Sequence, residues 1–505
     1  MSRTHSTFLC TLWILTALSS PVSVTEAAAN WPQFRGPNGQ GVSQASTPPA
    51  QFGHTTNRLW STPLPPGHSS PVWQGNRIVL TGFEDGKLLT IGLDTATGNE
   101  LWRRVAPAAD LEKVHAFSSP ATPTPLAADG RFVVYFGSFG LLGYDADGEE
   151  LWRHPLPTPR SQYGTSSSPI RVRDTAVLVV DSDDRASRII AVNLADGSLA
   201  WETPRPLATA GWSTPVLWDH PHGSEIIVLG ARRLMAYASG TGADAWWLDG
   251  YSPETIGVPV IGDGLLFVSS SGLAGPPTEG FKSMNWEEML PLDRNQDGLI
   301  QREEIPEDFR FTLRPELPAD HPGRHLPVPF HRLFGNVDGN QDGALSAEEF
   351  QTFVNQWGAR AKPSLRAIRP GGRGDITTTH VAWESNRGIP EIPSPLYHRG
   401  RLYLVRDGGF ITCVRAATGE LLFQERVDAP GSYSASPVVA GNHVYVASHN
   451  GVVTCLAADK DELEILARNE LGEKIWATPA LGDGVIYVRT EGRLHAFGVG
   501  APHGQ

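Results

Sequence analysis

A small residue followed by proline and then by a β-branched run recurs through this chain of 505 residues. The eight copies of the dipeptide are Ser70-Pro71, Thr124-Pro125, Ser168-Pro169, Thr214-Pro215, Val258-Pro259, Ser394-Pro395, Ser436-Pro437 and Thr478-Pro479. Six of the seven intervals between them are 42 to 54 residues long, and the fifth interval is 136. Repetition at such a period constrains the fold strongly, because every copy must adopt the same supersecondary unit.

Each proline precedes a short run of β-branched and aromatic residues bounded by Gly, Asp or Asn, which predicts strands joined by tight turns. A second element, a turn glycine followed four residues later by a large ring, closes most copies. These pairs are Gly98 with Trp102, Gly148 with Trp152, Gly197 with Trp201, Gly242 with Trp246 and Gly419 with Phe423. We interpret the glycine as a positive-φ turn residue and the ring as a packing element.

A period in the low forties with four short strands per copy is typical of propeller blades. We therefore predict an all-β fold, an eight-bladed β-propeller. The eighth copy ends near Phe497 without a last strand, whereas Arg58-Leu59-Trp60 precedes the first copy without strands of its own. The N-terminal segment is predicted to supply the outer strand of blade eight and to close the ring.

The long interval contains an acidic insertion, predicted at residues 276–361, after the second strand of blade five. Its 15 Asp and Glu and 8 Lys and Arg supply −7 of the net charge of −13. Two twelve-residue segments match the calcium loop of EF-hands, with side-chain oxygens at positions 1, 3 and 5, a backbone carbonyl at 7, a water-bridging residue at 9 and Glu at 12. The predicted ligands are Asp293, Asn295, Asp297, Leu299, Gln301 and Glu304 in the first loop, and Asp338, Asn340, Asp342, Ala344, Ser346 and Glu349 in the second.

These loops predict a small helical EF-hand pair that binds two calcium ions, since hard oxygen ligands with a bidentate Glu favour calcium over magnesium. Ile300 and Leu345 are expected to join the loops by a short β contact. Pro306 predicts that the first exiting helix is short. Only Met284 and Met289 could contribute to a methionine-rich groove, so a structural calcium role is favoured over a switching one.

The first 29 residues are predicted to be an export signal, with an apolar run and an Ala27–Ala29 cleavage site before Asn30. An uncleaved N-terminal anchor is the alternative. We expect an exported protein, periplasmic or secreted, with no transmembrane span after cleavage. The predicted domains are the signal 1–29, the propeller 30–275 with its closing strand, the EF-hand insertion 276–361, and the rest of blade five with blades six to eight at 362–505. Cys413 and Cys455 are expected to be buried thiols.

The repeats resemble the pyrroloquinoline-quinone (PQQ)-like repeat family of eight-bladed propellers, which includes quinoprotein dehydrogenases and BamB-like outer-membrane assembly factors. The opening Trp31-Pro32-Gln33-Phe34-Arg35-Gly36-Pro37-Asn38-Gly39 is similar to that of exported members of planctomycete type. The resemblance covers most of residues 31–500 outside the insertion. It implies the fold, whereas the family hosts unrelated functions.

Dehydrogenases of the family hold a quinone over a Trp floor beside a channel calcium, and many stack a vicinal disulfide on it. This chain has no adjacent cysteines and no C-x-x-C-H haem motif. We therefore expect PQQ to be absent, and we predict a binding or scaffolding platform rather than an enzyme. A PQQ-dependent alcohol or sugar dehydrogenase is the alternative. Because no basic run exists, a nucleic-acid partner is not expected.

Candidate contact residues precede the inner strands, where the loops of a propeller converge on one channel mouth. They are His68, His115, Tyr163, Trp212, Glu254, Glu391, Tyr433 and Trp476. We predict a protein or small-molecule ligand at this mouth, with packing between blades as the alternative role for these side chains. No catalytic residue is assigned, and the Arg373-Gly374-Asp375 tripeptide is expected in a turn.

Overall fold

The computed structural model describes residues 30–107, 110–115, 117–209, 211–271, 284–313, 324–326, 329–358 and 363–499. Eight antiparallel sheets form the eight-bladed β-propeller that the sequence predicts. The export signal predicted at 1–29 and both ends of the insertion predicted at 276–361 lie outside the described residues. No helix among the described residues is long and apolar enough to cross a membrane.

The strands of blades one to four follow one another from the channel to the rim. Blade one comprises Val72–Gln74, Arg77–Glu84, Lys87–Asp94 and Glu100–Val105. Blade two comprises Leu126–Ala128, Arg131–Phe136, Gly140–Asp145 and Glu150–Pro155. Blade three comprises Ile170–Val172, Thr175–Val180, Arg188–Asn193 and Leu199–Pro204. Blade four comprises Val216–His220, Gly223–Gly230, Arg233–Ala238 and Asp244–Asp249.

Blades five to eight repeat this order, with the insertion inside blade five. Blade five comprises Val260–Gly262, Leu265–Ser270, Ser364–Ile368 and Val381–Ser385. Blade six comprises Leu396–His398, Arg401–Arg406, Phe410–Arg415 and Leu421–Arg426. Blade seven comprises Val438–Ala440, His443–Ala447, Val452–Ala457 and Ile465–Glu470. Blade eight comprises Ala480–Leu481, Val485–Arg489, Arg493–Gly498 and the N-terminal strand Arg58–Pro63.

The remaining elements are short. Helical segments lie at Pro37–Gly39, Trp286–Glu288, Leu290–Leu292, Arg302–Glu304, Phe330–Arg332, Phe334–Val337 and Ala347–Gly358. Two-residue strands lie at Val42–Ser43, Ile300–Gln301, Ala344–Leu345 and Gly374–Asp375. The turn expected at Arg373–Asp375 was wrong, because Gly374–Asp375 pairs in parallel with Trp246 and Trp247 as a fifth strand of blade four.

Among the described residues, the hydroxyl of the repeated Ser/Thr-Pro step ties neighbouring blades together at six of the eight junctions, the exceptions being those between blades four and five and between blades eight and one. The backbone N–H of this residue in one blade donates to the side-chain oxygen of its equivalent in the next blade. The bonds are Ser70 to Thr124 (3.0 Å), Thr124 to Ser168 (2.9 Å), Ser168 to Thr214 (3.1 Å), Val258 to Ser394 (3.0 Å), Ser394 to Ser436 (3.0 Å) and Ser436 to Thr478 (2.9 Å). These bonds satisfy buried N–H groups that no ladder reaches.

The repeated ring and the repeated glycine also meet across blades, which confirms the packing role predicted for the ring. Five outer-strand Trp rings cover the turn glycine of the next blade: Trp60 on Gly98, Trp102 on Gly148, Trp152 on Gly197, Trp201 on Gly242 and Trp383 on Gly419. The Trp102 indole N–H donates to Ala146 O and that of Trp152 to Leu194 O, both at 3.0 Å. The glycine turn therefore closes a hairpin in its own blade and also packs against a Trp ring of the neighbouring blade.

The N-terminal segment touches every blade before it closes the ring. Trp31 pairs with Trp73 of blade one. Further contacts, in blade order, are Pro32 with Ala127, Gln33 with Arg171, Asn38 with Leu217, Gln40 with Ile261, Arg35 with Pro395, Gly41 with Val439 and Ser46 with Gly484. Arg58–Pro63 then pairs antiparallel with Arg493–Gly498, which confirms the predicted closure. Residues 31–46 thus lie across one end of the channel.

Candidate calcium loops and channel mouth

The two predicted calcium loops adopt the same conformation. Position 1 accepts a hydrogen bond from the N–H of the position-6 glycine in both, from Gly298 to Asp293 at 2.9 Å and from Gly343 to Asp338 at 3.1 Å. Both glycines need positive φ, 81° and 88°, which a side chain would oppose. Glycine at position 6 is therefore explained by the sharp turn that gathers the loop around its centre.

Position 5 is held in the same way in each loop. Asp297 accepts from the N–H of Leu299 at 2.8 Å, and Asp342 accepts from that of Ala344 at 2.9 Å. The hydrogen bond from Leu299, with smaller contributions from neighbouring side chains, lowers the pKa of Asp297. The position-5 carboxylate is thus favoured in its charged form, which is the form that binds a cation.

The position-12 glutamates reach back over their loops. Glu304 accepts from the N–H of Gln301 and Glu349 from that of Ser346, each at 3.0 Å. The second oxygen of each carboxylate accepts from a backbone N–H near the start of its loop, at 2.8 Å in the first and 3.3 Å in the second. The hydrogen bond from Ser346 is the main cause of a lowered pKa at Glu349.

The loops form one unit with its own core. Ile300 pairs with Leu345 in a two-stranded sheet between the loops. Met289, Phe330 and Phe350 are fully buried beneath them. After the first loop only the single turn Arg302–Glu304 follows before Pro306, so the prediction of a short exiting helix is confirmed.

The donor set of these loops fits calcium. Within the described ranges no three Asp, Glu, His or Cys side chains converge as a ready metal cluster. The acidic oxygens face amides of their own loop instead; the Asn295 amide lies 2.9 Å from Asp297 and the Asn340 amide 2.8 Å from Asp342. Small side-chain rotations would turn these oxygens inward to supply carboxylates, an amide oxygen and a backbone carbonyl.

The mouth of the channel and the insertion belong to the same face of the ring. In an up-and-down blade, the loop into the inner strand and the loop between the second and third strands leave from the same end. His449 and Trp476 follow this rule, because their rings are in contact. His449 lies between the second and third strands of blade seven, and Trp476 lies before the inner strand of blade eight. The EF-hand unit replaces the corresponding loop of blade five, after Ser270, and is therefore attached at the mouth.

Aromatic rings group into two arcs at this mouth. The first arc comprises Phe117, His115, Tyr163 and Trp212, with ring centroids 5.0, 5.1 and 5.2 Å apart in that order. Its Trp212 indole N–H donates to Gly164 O at 2.9 Å and also lies 3.2 Å from a serine hydroxyl. The rings are half-buried or exposed, so the arc is both anchored and open to solvent.

The second arc comprises His68, Trp476 and His449. His68 stacks on Trp476 at 4.8 Å and 14°, and His449 lies 4.1 Å from the same indole. Burial, and then the charge of Arg489, lowers the pKa of His68 to about 3, so this imidazole is neutral. Arg489 is itself buried, and it donates to Ser69 O and Oγ at 2.9 and 2.8 Å.

The other predicted mouth residues, Tyr433, Glu254 and Glu391, differ in burial. Tyr433 is buried and its hydroxyl donates to Ala429 O at 2.6 Å, so it packs between blades. Glu254 and Glu391 are half-buried. His449 was not predicted, because the loop between the second and third strands carries no Pro signal; its place after a repeated strand is the clue in the sequence.

A buried acid lies under the first arc. Glu112 accepts hydrogen bonds from the N–H and hydroxyl of Thr165, at 2.9 and 2.8 Å. Burial outweighs these bonds and raises the pKa of Glu112 to about 7. Beside it a cavity of about 10 Å³, room for one water, adjoins Tyr135 and Ser167, whose hydroxyls have no partner in the part of the chain that the structure describes.

Two family models match parts of this chain. Residues 372–497 match the family model described as outer membrane protein assembly factor BamB, and residues 330–354 match that described as EF hand. No curated protein matches the chain. One chain therefore contains a segment that matches the BamB family model and, within the long interval between repeats, a segment that matches an EF hand.

Solved structures share the whole ring. BamB from Moraxella catarrhalis is 14% identical with a TM-score of 0.53, over 89% of this chain and 99% of that one. A europium-containing methanol dehydrogenase is 12% identical with a TM-score of 0.52, over 94% and 98%. The computationally designed Ika8 protein is 11% identical with a TM-score of 0.51, over 88% and 100%. At these identities the likeness shows the fold alone.

Proposed function

We propose that this protein is an exported, calcium-binding β-propeller that serves as a binding platform for a protein or small-molecule partner at its channel mouth. The observation that carries the proposal is the pair of equivalent loops, joined through Ile300 and Leu345, attached at the face where the aromatic arcs lie. The twelve predicted loop positions are the proposed ligands of two calcium ions. Export to the periplasm or beyond, and cleavage before Asn30, belong to the same proposal.

The calcium is proposed to be structural. Met284 and Met289 are buried in the core of the EF-hand unit rather than lining a groove. The first hand ends in a single turn, so it offers no long helix to swing. Binding to the folded state alone would then stabilise the protein by about 2.7 kcal/mol for each calcium ion at a hundredfold excess over Kd.

Titration calorimetry tests the metal claim. The calcium-free protein is expected to bind two ions, and the double variant Glu304→Ala, Glu349→Ala to bind none, because it removes both bidentate ligands. The matched control is Glu303→Ala, Glu348→Ala, since these neighbouring carboxylates are exposed and stand at no ligand position. Unchanged stoichiometry in the first variant, or equal loss in both, would contradict the assignment.

The mouth offers a poor fit to PQQ, which carries three carboxylates. Glu254 lies near Tyr163 in the first arc, where its charge helps to raise the tyrosine pKa and would repel an anion. Arg489, beside the second arc, is already bonded to Ser69. These observations support a platform over a quinoprotein dehydrogenase. Tight PQQ uptake together with turnover of alcohols or sugars, using an artificial electron acceptor, would overturn the platform proposal.

A further inference from the structure

The first aromatic arc has the geometry of a cation-binding platform. Its rings follow one another at centroid distances of about 5 Å, and Tyr163 meets Trp212 edge to face at 81°. Phe117, at the outer end, is 44% exposed. Ring faces that are not stacked on a neighbour carry negative electrostatic potential and attract organic cations.

The platform is held in place before any ligand arrives. The Trp212 indole is bonded to Gly164 O, its backbone N–H donates to Thr255 O at 3.0 Å, and its carbonyl accepts from the Ser166 hydroxyl at 3.0 Å. These three contacts fix the ring from neighbouring loops. A preorganised ring loses little conformational entropy on binding, so more of the contact energy appears as affinity.

The charge around the first arc also favours a cation. Burial raises the pKa of Tyr163, and the charge of the Glu254 carboxylate raises it further. Glu254 therefore places a negative charge beside the rings. The insertion attached at the same face carries −7 by sequence, and it remains at −3 when both proposed calcium ions, with a charge of +4, are bound. The second arc differs, since Arg489 places positive charge beside His68. The electrostatic field at the mouth therefore directs a cation to the first arc.

We propose that the first aromatic arc binds the head group of an organic cation, an ammonium or a guanidinium, against the solvent-facing sides of Tyr163 and Trp212 and beside Glu254. This inference rests on the proposed platform function and names the chemistry of the mouth ligand. The head group belongs either to a free amine or to a Lys or Arg side chain of a partner protein. Both sources present the same charge to the same rings.

The test is a fluorescence and calorimetric titration of the full-length protein with choline and with its neutral isostere 3,3-dimethylbutanol. Choline is expected to bind at least about tenfold more tightly than the isostere, because only the charge differs. A blocked peptide, acetyl-Gly-Gly-Lys-Gly-Gly-amide, forms the second arm. Tighter binding of the peptide assigns the head group to a protein partner, and tighter binding of choline assigns it to a free amine.

Variants locate the site. Glu254→Gln and Trp212→Leu are each expected to weaken choline binding roughly fivefold or more. The matched control is Trp247→Leu, because Trp247 is a half-buried indole in the outer strand of blade four whose face already carries the guanidinium of Arg233, 5.3 Å from the ring. This control is expected to bind choline like the wild type. Glu254→Gln keeps the test decisive if Trp212→Leu fails to fold.

Three results would overturn the inference: no binding of choline or the peptide at about 20 mM, equal binding of choline and its isostere, or equal loss in Glu254→Gln and Trp247→Leu. The titration is read with calcium and with a chelator. Failure of the calcium proposal would appear in the calorimetry of the EF-hand loops, whereas failure of this inference would appear only in the choline arm.

Discussion

Replacing Gly148 by alanine tests the contact between a ring of one blade and a turn of the next. A Cβ at Gly148 would lie 2.4 Å from Cδ2 of Trp102, and the glycine has φ +77°. Gly130, in the same blade, has φ +74° but no atom within 4 Å of such a Cβ. The two substitutions therefore share their backbone strain and differ in the clash with the ring.

The expected magnitudes follow from these two terms. Left-handed backbone costs alanine roughly 1–2 kcal/mol, partly offset by reduced unfolded-state entropy, so Gly130→Ala is expected to lose about 1 kcal/mol. Trp102 is only 6% exposed, so it has no free space into which to move. Overpacking adds roughly 1–3 kcal/mol at Gly148, and loss of the bond from Trp102 to Ala146 adds about 1 kcal/mol.

Denaturant unfolding followed by circular dichroism measures both variants. We expect Gly148→Ala to be less stable than Gly130→Ala by about 2–4 kcal/mol. In a Trp102→Leu background the gap should shrink, because a smaller and flexible side chain can give way. Equal losses in the wild-type background would refute the reasoning, since they would show that the ring does not rest on the turn.

Three further outcomes are expected. Thr478→Val removes a hydroxyl that accepts a backbone N–H and should cost roughly 1–3 kcal/mol in denaturant unfolding. Ser70→Ala removes a hydroxyl that has no partner among the described residues, and it should cost less than about 0.5 kcal/mol. The pKa of Glu112 rises from 4.5 to about 7 on folding, so the free energy of unfolding should fall by about 3 kcal/mol as the pH rises through this range to 8. Glu112→Gln should abolish this fall. An unchanged pH profile of unfolding midpoints in the variant would contradict the prediction. Burial raises the pKa of the Cys413 and Cys455 thiols to about 12. In protein cleaved before Asn30, which lacks Cys10, Ellman's reagent should therefore react only after unfolding, and rapid labelling of this native protein would oppose the prediction.

The sequence predicted the ring but not the contacts between its blades. Strand runs and turn glycines are local features, and their repetition was enough to count eight blades and to find the closing strand at Arg58–Pro63. The hydroxyl at Thr124 and the indole of Trp102 act on the neighbouring blade. Such roles depend on how one sheet is rotated against the next, which no spacing within a single repeat encodes.

The candidate sites also differ in how far the sequence predicts them. The calcium loops were predictable because their ligands lie within twelve residues, so spacing alone encodes the geometry. The second arc was only partly predictable, since His449 and Trp476 come from two loops separated by two complete strands. The N-terminal segment was harder still, because Arg35 reaches Pro395 across 360 residues of sequence.

A structural role for calcium has a physical basis in blade five. Its second and third strands pair over five residues from Leu266 to Ser270, although 93 residues separate Ser270 from Ser364. Closing a loop of this length, compared with one of about five residues, costs roughly 2.6 kcal/mol if the loop is unstructured. A folded EF-hand unit brings its two ends together and removes part of this cost. In the proposed function, bound calcium therefore stabilises the pairing of the second and third strands of blade five.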